Sequence, residues 1–164
     1  MTLIELNDLE FAKATDEFLK CCGSRAWSGH MATRRPFDSV QGMIAAGRGI
    51  WRSLQECDWL EAFAAHPRIG QKGIGQKGNG WSAEEQRGMD AASSETASEM
   101  NRLNEAYHQK FGWTFIICAT GKTAEEMRAA LEQRLANDAE AELRIAGAEQ
   151  EKITELRIQK LLNQ

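Results

Sequence analysis

The sequence predicts an all-α protein, a compact single-domain multi-helix bundle, and three observations carry that expectation. Ala, Glu, Leu, Gln and Arg, all good helix formers, are abundant along the chain. Only two prolines interrupt its 164 residues, and apolar residues recur mainly at the spacing of one helical face. With 42% hydrophobic residues, a chain of this length can bury a core as one domain over residues 1–164.

The elements follow in order. Asn7 with Glu10, then Thr15 ahead of Phe18 and Leu19, predict one or two short helices reaching about Cys22. "SRAWSGHM" predicts another, ended by "RRPF", because the residue before a proline avoids the helical region. Ser39 caps "VQGMIAAGRGIW", with Val40, Met43, Ile44, Gly47 and Trp51 on one face. Ser53 with Glu56 forms a capping-box pattern before "CDWLEAFAAH", which turns Leu60, Phe63 and Ala64 inward and stops at Pro67. A glycine-rich stretch follows, and Ser82 with Glu85 marks the next helix start.

A helix over about Glu95 to Lys110 buries Met100, Leu103, Ala106 and Tyr107 and closes at Gly112 in a left-handed cap. "WTFIIC" is the only strand-like run. Thr123 with Glu126 opens "AEEMRAALEQRL", and Asn137 caps a long last helix.

The formal charge is −4 with Lys and Arg spread along the chain, which leaves no footprint for nucleic acid or an anionic membrane. A small-molecule substrate is the expected partner. No apolar run approaches the roughly 20 residues of a membrane span, and "MTLIELNDLEF" lacks the basic and apolar regions of a signal peptide. Cys21, Cys22, Cys57 and Cys118 contain no C-x-x-C pair and read as reduced thiols, so a cytoplasmic location is expected.

Three motifs mislead. Gly73 to Gly78 fits G-x-G-x-x-G, but a helix precedes it where the dinucleotide fingerprint needs a strand. Gly121-Lys122-Thr123 resembles the end of a Walker loop, yet Ile116 stands where that loop requires glycine, so a turn and helix cap is the better assignment. His30, His66 and His108 lack metal-ligand spacing, and no metal site is expected.

Three residues look chemical. His66 stands before a proline at a helix end, beside the glycine-rich stretch, where an imidazole can exchange protons near neutral pH; the alternative is contact with the helix C-terminal dipole. Glu85 lies across that stretch, where it can equally complete a capping box with Ser82. Arg157 interrupts the apolar stripe of Leu143, Ala146, Ile153 and Leu161, as an inward arginine awaiting an anion or as one that snorkels to solvent.

"AHPRIG", "SAEEQ", "NEAYHQKFGWTFIICATGKT", the upstream "RRPF" and the late "KITELRI" occur together in an order that resembles the OHCU decarboxylases, enzymes of 2-oxo-4-hydroxy-4-carboxy-5-ureidoimidazoline. The resemblance covers about residues 7 to 161. It implies an all-helical fold, often a homodimer, and a cofactor-independent last step from urate to (S)-allantoin. It also implies that His66 is the catalytic histidine, Glu85 its acidic partner and Arg157 the family's late arginine. Pro67, Ser82 and Gln86 match substrate-lining positions, and Phe115, Ile116, Ile117, Cys118 and Ala119 match a segment giving backbone contacts. Arg68 and Ile69 depart from the acidic residue and leucine that many members carry there. On this view the glycines serve chain reversal and motion rather than phosphate binding.

Overall fold

The structure, a computed structural model, describes residues 1–69 and 94–162. Among the described residues the chain forms eight helices and no strand, as the all-α expectation requires. They are α1 (Leu3–Asp8), α2 (Phe11–Cys21), α3 (Arg25–Arg34), α4 (Val40–Ser53), α5 (Glu56–Ala64), α6 (Ser94–Phe111), α7 (Ala124–Arg134) and α8 (Ala139–Leu162). None is long and apolar enough to cross a membrane. The chain divides into two compact units: Met1–Ala62 with Gln150–Gln164, and Phe63–Glu149.

In the first unit, Thr2 caps α1, its hydroxyl accepting from Glu5 N while Glu5 reaches back to Thr2 N. The box expected at Asn7 and Glu10 is therefore displaced by one helix start. Asn7 lies inside α1, and its amide instead clamps the backbone of Phe37 from both sides, at 2.9 Å and 3.0 Å. Arg35 satisfies the carbonyls that end α1, donating Nη1 to Leu6, Asn7 and Leu9 within 3.1 Å.

Ser24 and Ser39 cap α3 and α4. Helix α3 packs between α2 and α4, and at the α3–α4 contact a Cβ on Gly47 would stand 3.1 Å from the Trp27 ring, while the Trp27 indole donates to Gly47 O at 2.9 Å. Phe18 meets Trp27 and Phe37 edge-on, and Leu6, Met31 and Met43 complete a core without exposed surface. The Ser53 box is not formed. Ser53 ends α4 and its hydroxyl donates to Ile50 O, while Asp58 accepts from Gln55 N at the start of α5. On α5 the inward residues are Ala62 and Phe63; Ala64 is exposed, one position out of the expected face.

The second unit is built on α6, α7 and the first half of α8. Met100, Leu103 and Tyr107 are buried on α6 as expected, and Ala106 is half-buried. Gly112 adopts φ +83°, the left-handed cap foreseen there. Thr123 and Glu126 form their capping box, and Lys122 N donates to Ala119 O in the turn before it, which makes Gly121-Lys122-Thr123 a turn and cap. Asn137 does not cap α8. Asp138 does, accepting from Ala141 N, and Asn137 turns its amide to Glu142. "WTFIIC" is not paired in a sheet.

All four cysteines are free, Cys57 exposed, Cys21 and Cys22 buried. Desolvation raises both buried thiols, that of Cys22 from near 9 to about 11, against the weaker pull of the Arg157 charge. Iodoacetamide at neutral pH should therefore modify Cys57 in the native protein and Cys21 and Cys22 only on unfolding, as read by peptide mass mapping. Because the folded Cys22 thiol titrates above the unfolded one, its contribution to stability is complete below pH 9 and is lost as pH rises towards 11. Urea midpoints across that range check the sign.

Candidate active site

Helix α5 ends two residues short of His66, because Pro67 has no N–H to continue it. His66 N donates to Phe63 O at 3.1 Å, closing a turn that leaves the ring half-buried at the helix exit. The next residues are tied to α6. Arg68 Nη1 meets Glu105 Oε2 at 2.8 Å, and the Asn104 amide donates to Ile69 O at 2.9 Å. The Arg68 hydrogen bond holds the Glu105 carboxyl below its usual range. Arg68 and Ile69 are thus the anchors of the turn that carries His66 and the exposed Pro67.

Ile69 also packs into the same core as Phe115, Ile117 and Ala119. The expected backbone-contact segment and the His66 turn therefore share one apolar floor within the second unit. Ser82, Glu85 and Gln86 lie outside the described residues, as does the stretch from Gly73 to Gly80.

Residues 115–119 have no sheet partner, and side chains support them instead. Arg134 Nη1 donates to Ile116 O at 2.6 Å, and the guanidinium stands 4.5 Å from the Phe115 ring centroid. Glu149 Oε2 accepts from Cys118 N at 2.8 Å. Behind Arg134 is Glu142, which has no exposed surface. Its Oε1 accepts from Arg134 Nε at 2.7 Å and from the Tyr107 hydroxyl at 2.6 Å, and its Oε2 from Asn137 Nδ2 at 3.0 Å. The Trp113 indole donates to Tyr107 Oη at 3.1 Å. Burial, then the bond to Glu142, push the Tyr107 phenol well above its ordinary range, so it acts as a donor and not as an acid.

Arg157 belongs to the first unit and is 8% exposed, so it does turn inward from the α8 stripe, among Ile153, Ile158 and Leu161. Its charge acts on the Cys21 and Cys22 thiols, and Thr154, one turn earlier, bonds Cys22. Among the described residues no cluster of His, Cys, Asp and Glu has the make-up of a metal site.

Sequence reasoning passed over Asn104, Arg134, Glu142 and Glu149. A signal existed for Arg134, which follows Met127 and Leu131 on the buried face of α7 just as Arg157 follows Ile153 on α8.

Residues 7–159 match the family model described as OHCU decarboxylase. A uric acid degradation bifunctional protein of Arabidopsis thaliana is 42% identical over 153 residues, 90% of this chain and 47% of that protein. The chain thus spans about half the length of that relative, and 33% of a bifunctional homologue from Bacillus subtilis. A 2-oxo-4-hydroxy-4-carboxy-5-ureidoimidazoline decarboxylase of Haloferax volcanii is 27% identical, with 96% of this chain and 94% of that one covered. Among solved structures, an OHCU decarboxylase crystallised in the presence of (S)-allantoin superposes with a TM-score of 0.81 at 40% identity, over 91% of this chain and 99% of that one.

The Arg134–Glu142 pair generates a stability prediction. Arg134→Met leaves Glu142 as a buried carboxylate without its cation and should cost about 3–5 kcal/mol. Glu142→Leu added to it should recover part of that loss, measured by urea denaturation. Simple additivity of the two single variants would show that the side chains act independently.

Proposed function

The chain belongs to the OHCU decarboxylase family, and from that premise we propose that it converts 2-oxo-4-hydroxy-4-carboxy-5-ureidoimidazoline to (S)-allantoin, the last step from urate. The observation that carries the proposal is the 40% identity, at a TM-score of 0.81, to a decarboxylase solved in the presence of (S)-allantoin. Agreement over 99% of that chain leaves no large piece of its fold without a counterpart here.

The chemistry asks little of a cofactor. The carbon–carboxylate bond breaks, CO2 departs, and the electron pair is taken up by the unsaturated groups flanking that carbon, so the substrate is its own electron sink. A proton must then reach one face of the carbon. The protein has to orient the carboxylate, exclude water and stabilise developing negative charge.

In this scheme His66 positions the substrate hydroxyl or carboxylate and takes part in proton transfer. The turn closed by His66 N on Phe63 O and braced at Arg68 and Ile69 favours this role, since a fixed backbone limits the ring's freedom. Glu85 is its acidic partner, and with Gln86 it binds the amide-like edges of the substrate, while Ser82 and Pro67 line it. Arg157 stabilises the negative charge; its burial strengthens a charge-assisted bond to a carboxylate. Backbone groups of the Phe115–Ala119 segment, Ile116, Ile117 and Cys118 among them, hold the ring. Because Cys118 N already donates to Glu149, Ile117 is the residue of that segment best able to serve. The proposal includes a cytoplasmic homodimer, for which sedimentation at twice the 18.3 kDa chain mass is the test.

The deciding experiment follows circular dichroism of allantoin formed from substrate generated freshly from urate. The protein should accelerate appearance of the optically active product. His66→Asn should lower turnover by about a hundredfold or more with the far-ultraviolet spectrum unchanged. Arg157→Lys should also be harmful, because an ammonium does not reproduce the planar fork of a guanidinium. A time course equal to spontaneous decay with folded protein would refute the proposal.

A further inference from the structure

Between Gly112 and the Thr123 cap the chain crosses the core of the second unit without a helix or sheet partner, so its buried peptide groups must find other bonds. Phe115, Ile117 and Ala119 contribute side chains to one apolar cluster. Of the peptide groups here, Ile116 O is held by Arg134 at 2.6 Å and Cys118 N by Glu149 at 2.8 Å, while Ala119 O is taken by Lys122 N in the turn that follows. Where a chain runs extended, peptide groups two residues apart, such as those held at Ile116 and Cys118, face the same edge. Arg134 and Glu149 therefore occupy one edge of the segment.

The opposite edge belongs to Ile117. This residue is 6% exposed, and no described residue bonds its N–H or its C=O. Buried peptide groups are nearly always paired, and a donor and an acceptor side by side on one residue suit a partner that presents both. A cyclic ureide presents the complementary pair, an N–H next to a C=O.

We propose that Glu149 is a positioning residue for the decarboxylation, an inference that rests on the functional reading above. By accepting the Cys118 amide it removes the neighbouring donor from competition and fixes the rotation of the segment. Ile117 N–H and C=O are then held facing the ureide edge of the substrate. Arg134 secures the same edge two residues earlier and keeps the segment from turning about its own axis. The role depends on the reach of the Glu149 acceptor oxygen, not on a charge delivered to the substrate.

Three variants separate those possibilities, each assayed by the dichroism of product formation together with the resonance of the Cys118 amide. Glu149→Gln keeps an acceptor at the same reach and should stay within about threefold of the parent in kcat/KM. Glu149→Asp keeps the charge but falls one methylene short, and it should lose about tenfold or more, chiefly through KM, with the Cys118 amide shifted. Glu149→Ala should behave as Glu149→Asp; if it does not fold, the Asp and Gln pair decides alone. Parent-like kinetics for Glu149→Asp, or equal losses for Asp and Gln, would overturn the positioning role while leaving the decarboxylase reading intact. A parent protein that does not accelerate product formation would overturn both.

Discussion

The second unit depends on one buried carboxylate. Glu142 has no exposed surface, and an ionised group there is tolerable only if its lone pairs are met on all sides. Arg134, Tyr107 and Asn137 meet them from α7, α6 and the α7–α8 connection, and Trp113 extends the set through the Tyr107 hydroxyl. A pair of this kind is weak evidence of net stability, since apolar replacements can do as well. What it adds is uniqueness: the four donors converge in a single arrangement of α6, α7 and α8. That arrangement aims a spare guanidinium nitrogen at Ile116 O, and it thereby sets the segment proposed to face the substrate.

The long block "NEAYHQKFGW" shows why family resemblance and chemistry are different things. Asn104 holds Ile69 O, Tyr107 binds Glu142, Lys110 caps the carbonyls of Leu135 and Asn137, Gly112 supplies a left-handed turn and Trp113 donates to Tyr107. Each of these has an architectural task. "RRPF" is similar, with Arg35 collecting three carbonyls at the end of α1. These motifs build the fold, and His66 is the residue among them proposed to perform chemistry.

Much of the helical order was legible because caps and apolar faces are local signals. Ser39, Thr123 and Gly112 act where the sequence places them. The failures share one cause. Ser-x-x-Glu and Asn-x-x-Glu spacings recur by chance in a Glu-rich helical chain, and the pattern alone cannot say which instance coincides with the start of a buried face. Thr2 and Asp138 win over Asn7 and Asn137 because packing, decided at long range, fixes where α1 and α8 begin. "WTFIIC" misleads in a related way. Its short apolar run is that of a buried strand, but the groups that bond its backbone are side chains from α7 and α8, remote in sequence.

The site was legible only in part for a further physical reason. Periodicity shows that an arginine points inward, but not what it meets. Arg134 and Arg157 give the same signal, each continuing an apolar stripe and each 8% exposed. Arg134 finds a carboxylate of its own chain, which commits its charge to the fold. Around Arg157 the structure places the thiols of Cys21 and Cys22, and desolvation keeps both protonated despite the nearby guanidinium. The same local signal thus leads to two different surroundings, and long-range packing, which brings Glu142 to one arginine and the end of α2 to the other, sets the difference.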